Sequence, residues 1–290
     1  MSRVFVTGSA DGLGLAAVNL LIGQGHEVVG HARNDDRAAS LKAAAPGVAG
    51  VVTGDLSSAA QTRSVAGQVN VLGRFDAVIH NAGTGYREAR KATTEDGHAA
   101  VLAVNVLAPY LLTALIERPG RLVYLSSGMH RGGNPSTGDL DWNGRRWNGT
   151  QAYSDSKLYD AVLAFAVARR WPDVLSNAVN PGWVPTRMGG PGAPDDLGAG
   201  VVTQAWLAVS DDPAAAVSGG YFYHQQPESV HPAVRSERFQ DELTDALAGL
   251  TGVRLPVLLS GSGFPAQDSG MPWAAADTCC HCAQDASREP

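Results

Sequence analysis

The stretch "RVFVTGSADGLG", residues 3–14, decides the fold. A short apolar run rich in β-formers leads into three closely set glycines, Gly8, Gly12 and Gly14, and a helical pattern begins as the glycines end. Glycines permit a tight turn and close approach of a pyrophosphate, whose charge the backbone N–H groups of a helix N-terminus stabilise. At the first strand-to-helix junction of a chain, such a loop reads as a dinucleotide site rather than a plain turn.

Outward from that loop the same alternation repeats. Apolar runs at 3–8, 26–32, 50–55, 75–81, 121–127 and 175–182 are short, continuous and bounded by turn residues, as strands buried on both faces of a parallel sheet are. Helical patterns fall near 12–24, 35–44, 57–72, 95–117, 150–171 and 197–210, with a last strand at 219–224. The reading is α/β: a Rossmann-type doubly wound parallel sheet in three layers, a single domain over residues 1–255. From 256 to 290 a Gly/Ser/Pro-rich extension lacks a periodic apolar face, and a flexible tail is expected.

The chain's 22 Lys+Arg against 28 Asp+Glu give a net charge of -6, and no run of like charge suggests a nucleic-acid or membrane footprint. The expected partner is a small molecule. No signal-like segment opens the sequence and no stretch approaches the length of a membrane span, so a cytoplasmic location is expected. Cys279, Cys280 and Cys282 surround His281 in "CCHC". Adjacent cysteines are awkward for one tetrahedral site and no second ligand pair is spaced from them, so the expectation is an inert tail and no metal.

Where the second strand ends, an acidic residue suits the adenosine ribose of NAD and an arginine suits the 2′-phosphate of NADP. This chain has Ala32 and then Arg33, whose planar fork fits a phosphate. NADP(H) is therefore favoured, with NAD(H) the alternative. Against it stand Asp11 in the glycine loop and Asp35 and Asp36 just beyond, and Arg33 also reads as a solvated surface residue.

In "QAYSDSKLYD", residues 151–160, Tyr153 and Lys157 lie one helical turn apart on one face. A phenol is a poor acid–base group at neutral pH unless a nearby positive charge stabilises the phenolate. Lys157 supplies one. Proton transfer by such a phenol is what carbonyl reduction or alcohol oxidation requires.

With "TGSADGLG" (7–14), "NAG" (81–83), "VN" (104–105), "LSS" (125–127), "YSDSK" (153–157) and "NPGWVPT" (180–186) in this order, the chain resembles the classical, non-epimerase short-chain dehydrogenase/reductase family from residue 3 to about 225. Its glycine spacing is that family's, unlike the Gly-x-Gly-x-x-Gly of ordinary Rossmann dehydrogenases. The resemblance implies Tyr153 as general acid or base, Lys157 as the group that binds the nicotinamide ribose and lowers the tyrosine pKa, and Ser127 as the hydrogen-bond partner of the reacting oxygen. Ser126 is the weaker candidate, since consecutive strand side chains face opposite ways. Asn105 matches the asparagine whose main-chain carbonyl holds a proton-relay water. Pro109 lacks an N–H and so deprives that carbonyl of its helical partner, a reading that stands beside a simple proline kink. The resemblance also implies cofactor contacts at Gly8, Ser9, Asp11, Gly12, Leu13 and Gly14; at Asp55 and Leu56 beside the adenine; at Asn81, Ala82 and Gly83 on the adenosine side; and at Pro181, Gly182, Val184 and Thr186 by the carboxamide.

Ser127 and Tyr153 lie 26 positions apart, about twice the family's usual spacing. The extra piece, 130–149, resembles the retinol-dehydrogenase-like branch, and its Trp142 and Trp147 read either as a wall of the substrate pocket or as anchors of the loop. Trp183 and 184–196 read as a mobile lid. Apolar residues on several faces of the 150–171 helix, Leu158, Val162 and Phe165 among them, suit a helix-paired homodimer, or cover by the loop or the tail. The functional expectation is an NADP(H)-dependent oxidoreductase acting on a carbonyl or secondary alcohol of a small apolar substrate. The alternatives are an NAD-dependent alcohol dehydrogenase and a non-catalytic dinucleotide-binding regulator.

Overall fold

Eight strands form one sheet in the order β3-β2-β1-β4-β5-β6-β7-β8, parallel except for the last pair, in a computed structural model that describes residues 1–256. In chain order they are β1 (Arg3–Val6), β2 (Glu27–Ala32), β3 (Gly50–Thr53), β4 (Ala77–His80), β5 (Arg121–Leu125), β6 (Leu175–Asn180), β7 (Tyr221–Tyr223) and β8 (Gln226–Pro227). The helices are α1 (Gly12–Gly23), α2 (Asp35–Ala44), α3 (Ala59–Val71), α4 (Ala100–Leu102), α5 (Ala108–Leu115), α6 (Gly149–Arg170), α7 (Leu197–Val209) and α8 (Glu237–Thr251). Residues 257–290, and with them Cys279, Cys280, Cys282 and nearly all of the expected extension, lie outside the described residues. Among the described residues no helix is long and apolar enough to cross a membrane.

Alternation along each strand builds the three layers. Val4 and Val6 pack with Val28, Ile79 and Val123 against α1, α2 and α7, through Val18, Leu21, Leu41 and Ala205. Phe5 turns the other way and joins Val29, Val78, Leu122 and Tyr124 against α3, α5 and α6. The doubly wound arrangement therefore follows from the strand parity, and the strand order reverses between β1 and β4, where ligands of such sheets bind.

Side-chain caps start most of the helices: Asn34 accepts from the Arg37 N–H, Ser58 from Gln61, Asn148 from Gln151 and Asp196 from Ala199. The expected helix over 95–117 is shorter and interrupted. Residues 94–97 close a turn, with the Gly97 N–H donating to the Thr94 carbonyl and Gly97 at φ +85°, so the helix starts only at Ala100. A π-helical turn then spans Ala103–Leu107 immediately ahead of Pro109.

The sequence reading has no helix after 210, yet α8 is present, capped by Ser236 and ended by Gly252 in the left-handed region. Phe239, Leu243 and Leu247 recur at i+4, a stripe visible in the sequence. That stripe lies on α6: Phe239 meets Tyr159, and Arg169 and Arg170 pair with Asp241. Leu158, Val162 and Phe165 are consequently buried within the chain, so the face that suggested a homodimer is already covered.

At the end of β4, His80 is fully enclosed, its Nε2 on the Thr113 hydroxyl and its ring against Tyr124. Burial drives its pKa down to about 3. Between that value and the ordinary 6.5, the unfolded chain binds a proton that the folded chain refuses. Folding stability is thus complete above neutrality and falls with acid, by roughly 3 kcal/mol from this group at about pH 4. Denaturant unfolding across that range is expected to show the slope, and His80→Gln to reduce it.

Candidate active site

Two adjoining cavities open at the carboxyl ends of the strands. A cleft of about 730 Å³ runs from the glycine loop past Arg33 and Asp55 to Tyr86, and a second of about 530 Å³ holds Ser127, Tyr153 and Lys157. Leu13, Asn81, Gly83, Tyr86, Thr186 and Met188 line both.

The glycine loop is built by close packing. Gly8 and Gly12 take positive φ (65° and 53°), and a Cβ on Gly14 would sit 2.2 Å from the Gly8 carbonyl oxygen. Asn81 ties the loop down, its Nδ2 donating to the carbonyls of Thr7 (2.9 Å) and Gly8 (3.2 Å). His31, which the sequence reading passed over, supports it from β2. Its Nδ1 accepts from the Gly8 N–H (3.0 Å) and its Nε2 donates to the Gly54 carbonyl (2.8 Å). That pattern requires the neutral ring, and burial lowers the pKa accordingly. Ser9 is a correction: its side chain is buried, donating to the Val6 carbonyl and accepting from the His31 N–H, while its own N–H goes to the His31 carbonyl. Ser9 shapes the turn and does not line the cleft.

Asp11 makes no side-chain cap on α1, which leaves the first N–H groups of that helix to the cleft. Its carboxylate instead meets Arg37 (2.6 Å) and Arg187 (3.2 Å). The acidic residue that argued against a phosphate is therefore neutralised by two guanidiniums beside the open Arg33, and neither Arg37 nor Arg187 was legible from strand-end spacing. Gly12, Leu13, Asp55, Leu56, Asn81, Ala82 and Gly83 all line the same cleft, as the sequence predicts. Asp55 also caps locally, accepting from the Ser57 N–H.

In the second cavity α6 brings its polar residues against the end of β5. Ser126 and Ser127 both line the cavity, but the Ser126 hydroxyl is spent on the Lys157 carbonyl (2.7 Å), while Ser127 faces Tyr153. Lys157 Nζ lies 5.8 Å from the Tyr153 ring centre and donates to the Leu125 carbonyl and to Asp160 Oδ2, each at 2.7 Å. Burial is the largest influence on Tyr153 and holds its pKa above the usual tyrosine range, with Lys157 and Ser127 pulling it back. In Lys157 burial works toward the neutral amine, but Asp160 and Tyr153 together outweigh it and hold the pKa above the usual lysine range. Burial likewise lifts Asp160 to about 6.

Asn105 is buried in the π-helical turn and its side chain joins two elements. Oδ1 accepts from the Thr84 N–H (2.8 Å) and Nδ2 donates to the Ser156 hydroxyl (2.9 Å). Pro181, Gly182, Val184 and Thr186 line the cavity opposite Tyr153. The 184–196 segment carries more ties than its composition suggested: Trp183 Nε1 donates to the Gly189 carbonyl, Arg87 donates to the same oxygen, and the Gly189 N–H donates to Thr186.

The insertion departs from one of its two readings. Trp142 and Trp147 pack edge to face, Arg145 lies over Trp142 and pairs with buried Asp155, and Trp147 Nε1 donates to the Glu88 carbonyl. The tryptophans anchor the loop, and none of residues 130–149 lines the cavity. Its walls are Met129, Trp183, Met188, Tyr223 and Tyr86, whose ring centre lies 5.5 Å from that of Tyr153.

Comparison with known proteins places this geometry in context. The family model for short-chain dehydrogenases matches residues 2–138. An uncharacterised oxidoreductase of Emericella nidulans is 44% identical over 88% of this chain and 99% of its own length. A short-chain dehydrogenase of Penicillium rubens is 40% identical over 88% of this chain and 100% of its own. A crystal structure of an uncharacterised protein from Mycobacterium paratuberculosis shares the fold, with a TM-score of 0.77 at 24% identity, covering 89% of this chain and 96% of that one.

The contact at Gly14 yields a direct check. Gly14→Ala forces the Gly8 carbonyl aside, and chemical denaturation is expected to show a loss of about 1–3 kcal/mol with the fold retained.

Proposed function

This chain belongs to the short-chain dehydrogenase family and is an NAD(P)-dependent oxidoreductase acting on C=O or CH–OH groups; from that premise we propose that it uses NADP(H) and exchanges a hydride with a carbonyl or secondary alcohol on a small apolar substrate. The observation that carries the reading is the convergence of Tyr153, Lys157 and Ser127 in a cavity that shares its lining with the glycine-loop cleft.

The residues fit a dinucleotide. The uncapped N-terminus of α1 offers N–H groups to a pyrophosphate, Asp55 and Leu56 flank the adenine end, and Gly83, Thr186 and Lys157 stand at the nicotinamide end. Arg37 and Arg187 pair with the Asp11 carboxylate and Arg33 lines the same cleft, and these guanidiniums suit a 2′-phosphate. Asp35 and Asp36 sit exposed in the first turn of α2, where the helix dipole favours them.

When bound, the nicotinamide supplies or accepts the hydride. Ser127 holds the substrate oxygen, Tyr153 gives that oxygen its proton or takes it away, and Lys157 orients the ribose and biases the phenol. The Asn105 carbonyl, four residues before a proline with no N–H to give it, is the proposed seat of the water that relays protons to Lys157. Met129, Met188 and Trp183 give the cavity an apolar, adaptable wall, beside the polar Asn180, Asp195 and Glu228.

Parallel fluorescence titrations with NADPH and NADH, followed by turnover on an aldehyde and ketone panel, test this. Tighter NADPH binding is expected, and turnover is expected to fall on the order of 10²–10⁴-fold in Tyr153→Phe. Joint Arg33→Ala and Arg37→Ala replacement is expected to weaken NADPH about tenfold or more and to leave NADH nearly unchanged. Equal affinity for both nucleotides in the native chain would refute the NADP assignment.

A further inference from the structure

Asp160 has no role in the chemistry above, yet it is the nearest charge to the catalytic lysine. It sits one helical turn beyond Lys157 on α6, its Oδ2 at 2.7 Å from Nζ, with only 3% of its side chain exposed. Its other oxygen, Oδ1, is buried without a hydrogen-bond partner. A carboxylate so enclosed keeps its charge only against a close cation, and Lys157 is the cation that meets it. The ammonium has three N–H groups. Two are spent on Asp160 and the Leu125 carbonyl, and a Cβ placed on Gly83 in the cavity wall would lie 3.7 Å from Nζ, so the third is left toward the cavity.

This arrangement changes what Lys157 does to its neighbour. An unmatched ammonium beside a phenol draws off the phenolic proton, whereas one matched by a carboxylate at contact distance exerts a much weaker net field. The groups facing the phenol and the pair are Lys157 and Asp160 on α6, Tyr86 from the loop after β4, Tyr221 on β7 and Tyr124 on β5 beside Asp160, while Asp195 and Glu228 line the same cavity. Burial holds Tyr124 and Tyr221 as neutral phenols, and the charges that act on the Tyr153 phenol are those of the Lys157–Asp160 pair.

We propose that Asp160 is the counter-ion of Lys157, a positioning residue that aims the ammonium at the cofactor side and keeps Tyr153 a proton-bearing phenol, suited to carbonyl reduction. In that direction the hydride of a C–H bond on bound reduced nicotinamide adds to the carbonyl carbon, the C=O π pair moves to oxygen, and the Tyr153 O–H proton passes to that oxygen, leaving a phenolate that regains its proton from water. The proposal rests on the oxidoreductase reading, but its first test needs no turnover.

Near-ultraviolet phenolate absorbance is titrated for the native chain and for Asp160→Asn, each against its Tyr153→Phe counterpart, so that the difference isolates Tyr153. Removing the carboxylate is expected to lower the Tyr153 midpoint by about one pH unit. The alkaline limb of kcat/KM for carbonyl reduction is expected to move the same way. A merely structural aspartate would lower stability or yield and leave both midpoints in place, and an unmoved or raised midpoint overturns the proposal. If Asp160→Asn does not fold, Asp160→Ser removes the same charge from a smaller side chain and is read by the same criteria. A native chain that binds neither nucleotide nor turns over any carbonyl would refute the oxidoreductase reading, while the absorbance shift would still decide the role of Asp160.

Discussion

The constraint on which the rest depends is that α6 is a buried helix written with polar residues. Residues 153–157 read Tyr, Ser, Asp, Ser, Lys, and all five are enclosed. Burial of each polar group is costly unless it is hydrogen-bonded or paired. The chain meets that demand residue by residue: Asp155 takes Arg145 from the insertion, Ser156 joins Asn105, and Lys157 bridges β5 and Asp160. The Tyr153 phenol is held in place as a by-product of satisfying its neighbours. The insertion belongs to this scheme too, because it carries the guanidinium that makes Asp155 affordable.

On the other side of the sheet crossover the same logic runs through backbone. The turn after β1 places Gly8, Gly12 and Gly14 where side chains would collide or strain, and Asn81 and His31 accept the task of fixing its amides and carbonyls. The cleft is preorganised by hydrogen bonds from side chains that form part of its own lining. Its electrostatics come from a separate device, Asp11 drawing Arg37 and Arg187 toward the site beside Arg33.

What was legible in the sequence follows from what has a local period. Parallel strands announce themselves as continuous apolar runs, a glycine loop as spacing, and the Tyr153–Lys157 pair as a single helical turn. Ser9 was misassigned because nothing in a turn sequence says which way a hydroxyl points, and it points inward. Trp142 and Trp147 left two readings open because an aromatic residue fills a pocket or pins a loop equally well, and only the Glu88 carbonyl and Arg145 decide between them. Arg37, Arg187 and Asp160 were invisible for a different reason: a charged residue on a helix or loop reads as solvated until a partner distant in sequence, or a burying layer, is known. The apolar stripe of α8 was legible, and it resolves the unpartnered face of α6 within one chain.

That last packing has a consequence for how the molecule comes into being. The surface of α6 around Tyr159 is closed by Phe239, Leu243 and Leu247, about 80 residues later in the chain. A chain emerging from the ribosome completes the glycine loop and the first strands early, but the face of α6 that carries Tyr159 stays open to water until α8 arrives. The glycine-loop half is finished first, and the back of α6 is sealed last.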